Sequence, residues 1–289
     1  MTATATIQNA TEGVHDGLTR SVYESWADEN DRQLVHYSML KLFSMPPAKA
    51  KYKIDLPPEP TDALNLGDGC HAAVFEPERF ESEFVRAPKI TRRTNAAKAE
   101  WATFISETQA AGKVPLPPED YDKALAIRDA LWTRDSTVRS ILSQPGKVER
   151  SFVWRDQATE MLCKARVDWM CRWQGWTICL DLKTTDIAAE WRFKYAIRKY
   201  HYAKQAAFYL DGLDVLHKMP RRWLWLAVEK EPPYLAALYE PTPAMLVAAR
   251  ATYVGWMETL KTCRETGVWP GYHDGIVAID DMPGKNGDE

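Results

Sequence analysis

Apolar residues recur along this chain with two spacings, and the change comes near residue 145. From 34 to 143 the helical spacing dominates, predicting helices over 38–52, 60–76, 95–111, 118–133 and 135–143. Strand-like runs follow at 147–155, 160–172 and 176–183, then helices at 188–198 and 201–217. A strand pair at 222–229 and 234–240, joined through Glu231-Pro232-Pro233, precedes a long helix over 242–266. Thr242 fits the N-cap of that helix, with a proline just inside. Strands with helices on either side imply an α/β sandwich around a central mixed sheet. No repeat or low-complexity segment interrupts the pattern, and the proline-rich stretches at 46–60 and 114–118 read as connectors. Residues 19–280 therefore read as one domain, mainly helical over 19–143 and sheet-bearing over 144–280. A flexible polar lead (1–18) and a polar tail (281–289) flank it.

Composition narrows the class. With 289 residues, 45% hydrophobic content and twelve tryptophans, the chain can bury a sizeable core and is not disordered. No run approaches eighteen apolar residues, so no membrane span is expected. The start, Met-Thr-Ala-Thr-Ala-Thr-Ile-Gln-Asn, lacks the basic and apolar regions of a signal peptide, and a cytoplasmic location is expected. Cys163, Cys171 and Cys179 lie on predicted strands without zinc-type pairing, so buried free thiols are expected.

The run 176–183 is apolar until its end, where Asp181-Leu182-Lys183 appears. Residues two apart on a strand share a face, so Asp181 and Lys183 project together while Leu180 and Leu182 face the core. Asp168 lies thirteen residues earlier on the preceding strand and can reach the same spot across a hairpin. Paired carboxylates suit one or two hard divalent cations, and a lysine beside them stabilises charge or orients an attacking water. The triplet alone also fits a solvated salt bridge. On the helix 201–217, Gln205 and Tyr209 are four apart and share one face. Farther upstream stands Leu66-Gly67-Asp68-Gly69-Cys70-His71, continuing through Glu76-Pro77-Glu78-Arg79-Phe80, where Gly67 and Gly69 would let a helix approach its neighbour closely.

Together these pieces resemble the PD-(D/E)xK nuclease superfamily, and within it the phage-type exonuclease VIII (RecE-like) enzymes. Further matches are Tyr37 to Pro46, a short helix followed by a proline-started one; Lys147 to Trp154, the strand before the first catalytic aspartate; and the closing turn Trp269-Pro270-Gly271-Tyr272. Asp68 and Cys70 depart from the family's small or aliphatic residues, and the aspartate spacing is longer than usual.

The resemblance implies a restriction-endonuclease-like core and Mg²⁺ or Mn²⁺ held by Asp168, Asp181, His71 and the backbone carbonyl of Leu182. No iron–sulfur cluster is expected. Lys183 acts on the attacking water, and Gln205 and Tyr209 pack over the site. Glu149 is a further carboxylate candidate, ranked above Glu160, which sits at an expected turn. Arg166 shares the strand face of Asp168 and is expected to contact phosphate.

The net charge of −3 is unfavourable for DNA binding, but its distribution is uneven. Arg192, Lys194, Arg198, Lys199 and Lys204 crowd the region after Lys183, and Arg92 and Arg93 form a second basic spot. The family implies resection of one strand of linear duplex DNA from its 5′ end, leaving a 3′ overhang for a single-strand annealing protein. It also implies a ring-shaped homo-oligomer and a phage or prophage origin in a bacterial host. A RecB-type single-strand nuclease such as those of CRISPR adaptation, a site-specific endonuclease, and a non-catalytic DNA-binding module of the same fold remain as alternatives.

Overall fold

The computed structural model describes residues 10–28, 32–56, 62–91 and 93–278. Strand β1 (Gly13–His15), helix α1 (Arg20–Ser25) and strand β2 (Val35–His36) lead into a largely helical stretch. That stretch comprises α2 (Tyr37–Leu40), a 3₁₀ turn (Lys41–Ser44), α3 (Pro47–Asp55), α4 (Asp62–Phe75) and α5 (Pro77–Glu83). It continues with β3 (Phe84–Arg86), α6 (Asn95–Ala110), β4 (Val114–Leu116), α7 (Pro118–Thr133) and α8 (Ser136–Leu142). The second half contains β5 (Gly146–Arg155), β6 (Leu162–Trp173), β7 (Trp176–Thr185), α9 (Glu190–Lys199) and α10 (Tyr202–Leu216). It ends with β8 (Arg221–Glu229), β9 (Ala236–Tyr239) and α11 (Pro243–Thr266).

The main sheet runs β1-β5-β6-β7-β8-β9, with β2 paired in parallel to β6. Strands β5 to β7 are antiparallel, β7 and β8 parallel, β8 and β9 antiparallel. This is the expected mixed α/β architecture of a restriction-endonuclease-like core. The β6–β7 hairpin turns at Gln174-Gly175, both with positive φ (48° and 83°), the backbone that matches the twist of paired strands.

Both faces of the sheet are covered, which explains the unbroken apolar runs. Trp223, Trp225 and Ala227 of β8 join a core with α9, α10 and α11, while Leu224, Leu226 and Val228 join another with α4, α7 and α8. A small third cluster, Trp26, Leu34, Val153 and Leu162, seats the N-terminal segment.

Several expectations are corrected. Residues 10–18, expected within a flexible lead, include β1, which satisfies the backbone edge of β5. The single helix 38–52 is interrupted at Pro46-Pro47, because proline disfavours helix in the residue before it and donates no hydrogen bond. The short helix α5 and the parallel pair β3–β4 carry too few residues to show a period, and the sequence reading omitted them. The start of the helix expected from residue 60, the tail 281–289 and Arg92 lie outside the described residues.

Candidate active site

One edge of β6 is paired with β5 along nearly its whole length. Its other edge pairs with β7 only from Trp169 to Trp173, and with β2 at Cys163 and Lys164. Beyond the Trp169–Leu180 rung the two strands part, while β7 continues to Thr185 against β8. Backbone groups in such a fork need partners. Leu182 donates its N–H to Asp168 Oδ2 at 2.8 Å, and its carbonyl lies 3.0 Å from His71 Nε2. Two predicted ligands thus occupy the place a neighbouring strand would take.

Helix α4 delivers His71, and Gly69 lets that helix sit close to β4, where a Cβ would lie 2.9 Å from Leu116 Cδ1. Gly67 has open space around it, so it plays no such part. Asp68 and Cys70, the two residues of this segment that depart from the resembled pattern, both serve packing. Asp68 accepts hydrogen bonds from Arg20 (2.9 Å) and Arg79 (3.2 Å), tying α1 to α4, and Cys70 is fully buried. His71 Nδ1 lies 3.3 Å from Asp168 Oδ2. Burial, followed by Lys183, lowers the His71 pKa against the pull of Glu149, Asp181 and the Leu182 carbonyl, which keeps the imidazole neutral. With Nε2 at a carbonyl, the proton is assigned to Nε2 and the Nδ1 lone pair faces Asp168.

Glu149 arrives by a backbone irregularity. Its φ of +49° is a left-handed conformation, rare and costly for a non-glycine residue, and the β5–β6 register passes from Val148↔Trp169 to Arg150↔Val167 without it. Single ligand atoms of His71, Glu149 and Asp168 all lie within 4.8 Å of one another. Burial and then Asp168 push Glu149 up to about 7. Burial and then Asp181 raise Asp168, against Lys183 and the Leu182 N–H. Glu160 stands at an exposed turn, its carbonyl accepting from Arg155 at 2.8 Å, away from this cluster.

Asp181 is 3% exposed, on the sheet face covered by α10, with Leu180 and Leu182 in the core on the opposite face. Lys183 Nζ donates to its Oδ1 at 2.8 Å and lies 2.7 Å from Oδ2, an ion pair without aligned hydrogen-bond geometry at that oxygen. Burial would lower the lysine, but Asp181 and Asp168 outweigh it and raise its pKa, so it stays an ammonium. Asp181 therefore stands beside the His71–Glu149–Asp168 group with both oxygens turned to Lys183.

Gln205 and Tyr209 face the site from α10. They share a hydrogen bond, and burial, followed by the charges of Asp181 and Asp168, pushes Tyr209 up to about 12 although Gln205 and Lys183 pull it down. Gly212 seats the helix, since a Cβ there would collide with the Trp154 indole. The sequence reading missed Tyr202, whose ring lies 4.8 Å from Lys183 Nζ. The signal was present, because 202, 205 and 209 form one helical stripe.

Arg166 is a correction. It was expected on a phosphate, but its guanidinium is turned inward. Nε donates to Ser151 Oγ at 3.0 Å, Nη1 to Glu149 at 3.4 Å, and Nη2 to the carbonyls of Leu18 and Thr19 at 3.3 and 3.4 Å. Its carbon Cζ also lies 4.3 Å from the centre of the Tyr23 ring. Arg166 orients Glu149 and anchors the N-terminal segment. Among the basic residues, Arg192, Lys194, Arg198 and Lys199 are exposed on α9 and Lys204 is half-buried in the first turn of α10. Arg93 is exposed in the turn before α6.

All five cysteines are buried free thiols, and among the described residues no helix is long and apolar enough to cross a membrane.

The family described as a PDDEXK-like domain of unknown function (DUF3799) matches residues 36–280. A crystal structure from Eubacterium rectale, described as a "putative exonuclease", superposes with a TM-score of 0.57 at 13% identity, covering 86% of this chain and 88% of that one. The structure of SSO0001 aligns with a TM-score of 0.28 at 14% identity, over 67% of this chain and 85% of that one, too low to mark a shared fold. No curated protein matches the chain.

Proposed function

The chain belongs to the PDDEXK-like domain family (DUF3799), and on that footing we propose that it is a metal-dependent nuclease hydrolysing phosphodiester bonds in DNA. The observation that carries this reading is the meeting of His71, Glu149 and Asp168 in the β6–β7 fork, beside the Asp181–Lys183 pair. A neutral imidazole, crowded carboxylates and a backbone carbonyl form the mixed nitrogen–oxygen donor set that suits Mg²⁺ or Mn²⁺. The crowding itself argues for a cation: Glu149, raised by burial and by Asp168, and Asp168, raised by burial and by Asp181, are relieved when positive charge enters.

Asp168, Glu149 and His71 would hold the ion, with Asp181 and the Leu182 carbonyl as further donors. Bound there, it supplies positive charge that favours ionisation of the attacking water and offsets charge developing on the phosphorus centre. Lys183 remains protonated at Nζ, donates to Asp181, and offers its other protons to a phosphate oxygen or to the attacking water. Tyr209 keeps its phenolic proton at neutral pH and, with Gln205, presents donors from the roof of the site. Asp168 has a second duty, holding the Leu182 amide so that the carbonyl beside it keeps its direction.

The finer reading is a 5′-to-3′ exonuclease that resects one strand of linear duplex DNA, leaving 3′ overhangs for a single-strand annealing protein, in a ring-shaped homo-oligomer. Its support is the run of resemblances from Tyr37 to Tyr272. The test is digestion of 5′- or 3′-end-labelled linear duplex, and of covalently closed circles, with Mg²⁺ or Mn²⁺. The expected result is loss of the 5′ label, survival of the 3′ label on the resected product, and intact circles. Cleavage of circles would overturn the end-dependent reading, and absence of hydrolysis on every DNA with either metal would overturn the nuclease reading.

A further inference from the structure

Helix α9 buries Phe193 and Ile197 yet leaves Trp191, Tyr195 and Tyr200 at 68%, 53% and 50% exposure. Three large aromatics on the solvent side of a ten-residue helix and its cap carry an unfavourable hydration cost, and such patches mark contact sites. They do not stand alone. Arg192 Cζ lies 5.3 Å from the Tyr195 ring centre, and Lys199 Nζ lies 5.3 Å from that of Tyr200. Tyr200 stacks on Tyr202 with centroids 5.6 Å apart and planes 27° from parallel, and Tyr202 lies under Lys183 at 4.8 Å. Two cation–ring pairs therefore lie on α9, and the second of them continues through the Tyr200–Tyr202 stack to the lysine of the site. Among the described residues, Arg192, Arg198 and Lys199 make no ion pair, whereas Lys194 is paired with Glu190.

We propose that this ladder binds an unpaired DNA strand, stacking its bases on Tyr200 and the α9 aromatics while Lys199 and Arg192 neutralise the phosphates. The inference rests on the nuclease reading for its destination at Lys183, and it specifies that the strand approaching the site is single-stranded. Rings read any base through its π face, whereas in a duplex those faces are already stacked and unavailable. Cations poised over rings suit alternating phosphates and bases. A purely phosphate-tracking surface would need the cations and have no use for exposed rings.

Binding is measured by fluorescence of a 2-aminopurine-labelled single strand and by competition with a blunt duplex of equal length, both in EDTA so that no metal-dependent cleavage intervenes. Tyr200→Ala should weaken single-strand binding about tenfold, the loss of one base stack, without altering the salt slope. Tyr200→Phe should bind like the parent, and blunt-duplex affinity should be unchanged in both variants. Lys199→Gln should instead flatten the dependence of log K on log salt by about 0.7 on the single strand. Melting temperatures verify that all variants fold, as half-exposed positions predict.

Tyr200→Ala binding within about twofold of the parent, or a phenylalanine variant as weak as the alanine one, would overturn the ladder. An equal loss on the duplex would overturn it as well. Hydrolysis enters none of these readouts. A protein that binds single strands through Tyr200 but cleaves nothing would refute the nuclease reading and keep the ladder. One that cleaves normally with Tyr200-independent binding would do the reverse.

Discussion

From Trp169 to Trp173 the β6–β7 ladder is closed, and next to the fork its side chains are apolar on both faces, Met170 and Cys179 toward one core, Cys171, Ile178 and Leu180 toward the other, with polar side chains only at the Arg172–Thr177 rung near the turn. One rung further the same strands part, and the gap holds Asp168, Asp181 and Lys183, with His71 brought across from α4. The difference lies in who satisfies the backbone. In the closed half each strand satisfies the other, so side chains are free to be apolar and to supply stability. In the open half the Leu182 amide and carbonyl need side-chain partners, and those partners are ionisable groups held at low solvent exposure. The closed half holds the open half in an electrostatically unfavourable arrangement that a cation would relieve.

The sharpest way to break this comparison is to change one residue on each side of the fork. Asp168→Asn keeps an oxygen for the Leu182 N–H while removing the charge. Hydrolysis should fall by about a thousandfold or more, the scale of several kcal/mol of lost charge stabilisation. The melting temperature should hold or rise, because repulsion with Asp181 is gone. Leu180→Ala, one residue before the Asp-x-Lys triplet but inside the closed half, should do the opposite. It should cost about 3 kcal/mol of unfolding free energy through its buried cavity, with the remaining folded molecules cleaving near the parent rate. Paired denaturant melts and single-turnover assays decide the matter. If Asp168→Asn unfolds more easily than Leu180→Ala, the division of labour between the halves is wrong.

A further effect, no larger than these, sharpens the same comparison through pH. Glu149 is raised from 4.5 to about 7 in the folded protein. A raised carboxyl contributes stability that is complete below its unfolded value and is lost as pH climbs through the folded one. The metal-free protein should therefore lose on the order of 3 kcal/mol from this group between about pH 4.5 and 7. Glu149→Gln should flatten that part of the profile, and Mg²⁺ added to the parent at pH 8 should restore the lost stability. Identical pH profiles for parent and variant would mean that the carboxylate does not feel the crowding of the fork.

The elements that the sequence made legible are those with enough residues to display a period. Strands β5 to β8 and helices α6, α7, α10 and α11 lie within a few residues of their expected bounds. The Asp181–Lys183 pair and the Gln205–Tyr209 pair follow from strand and helix spacing alone, and the resemblance to a nuclease family singled out His71. Arg166 was misread because strand periodicity places it beside Asp168, whereas the carbonyls of Leu18 and Thr19, about a hundred and fifty residues away, claim its guanidinium. Strand β1 was missed because three residues carry no alternation, and only the unpaired edge of β5 gives them a structure.

What the sequence determined by itself is local. Unbroken apolar runs made strands buried on both faces, a step of two put Asp181 and Lys183 on one face, and a stripe at 202, 205 and 209 aimed one side of a helix at one place. What only the tertiary structure decided is the convergence. It set the point at which β6 leaves β7 and the left-handed turn of the backbone that sends Glu149 inward. It also brought a histidine about a hundred residues upstream of Asp168 into the gap at Leu182. The physical reason is that spacing rules extend only a few residues along a chain. A fork in a sheet is defined by the hydrogen bonds its strands fail to make with each other, and which distant groups replace them depends on how whole layers pack.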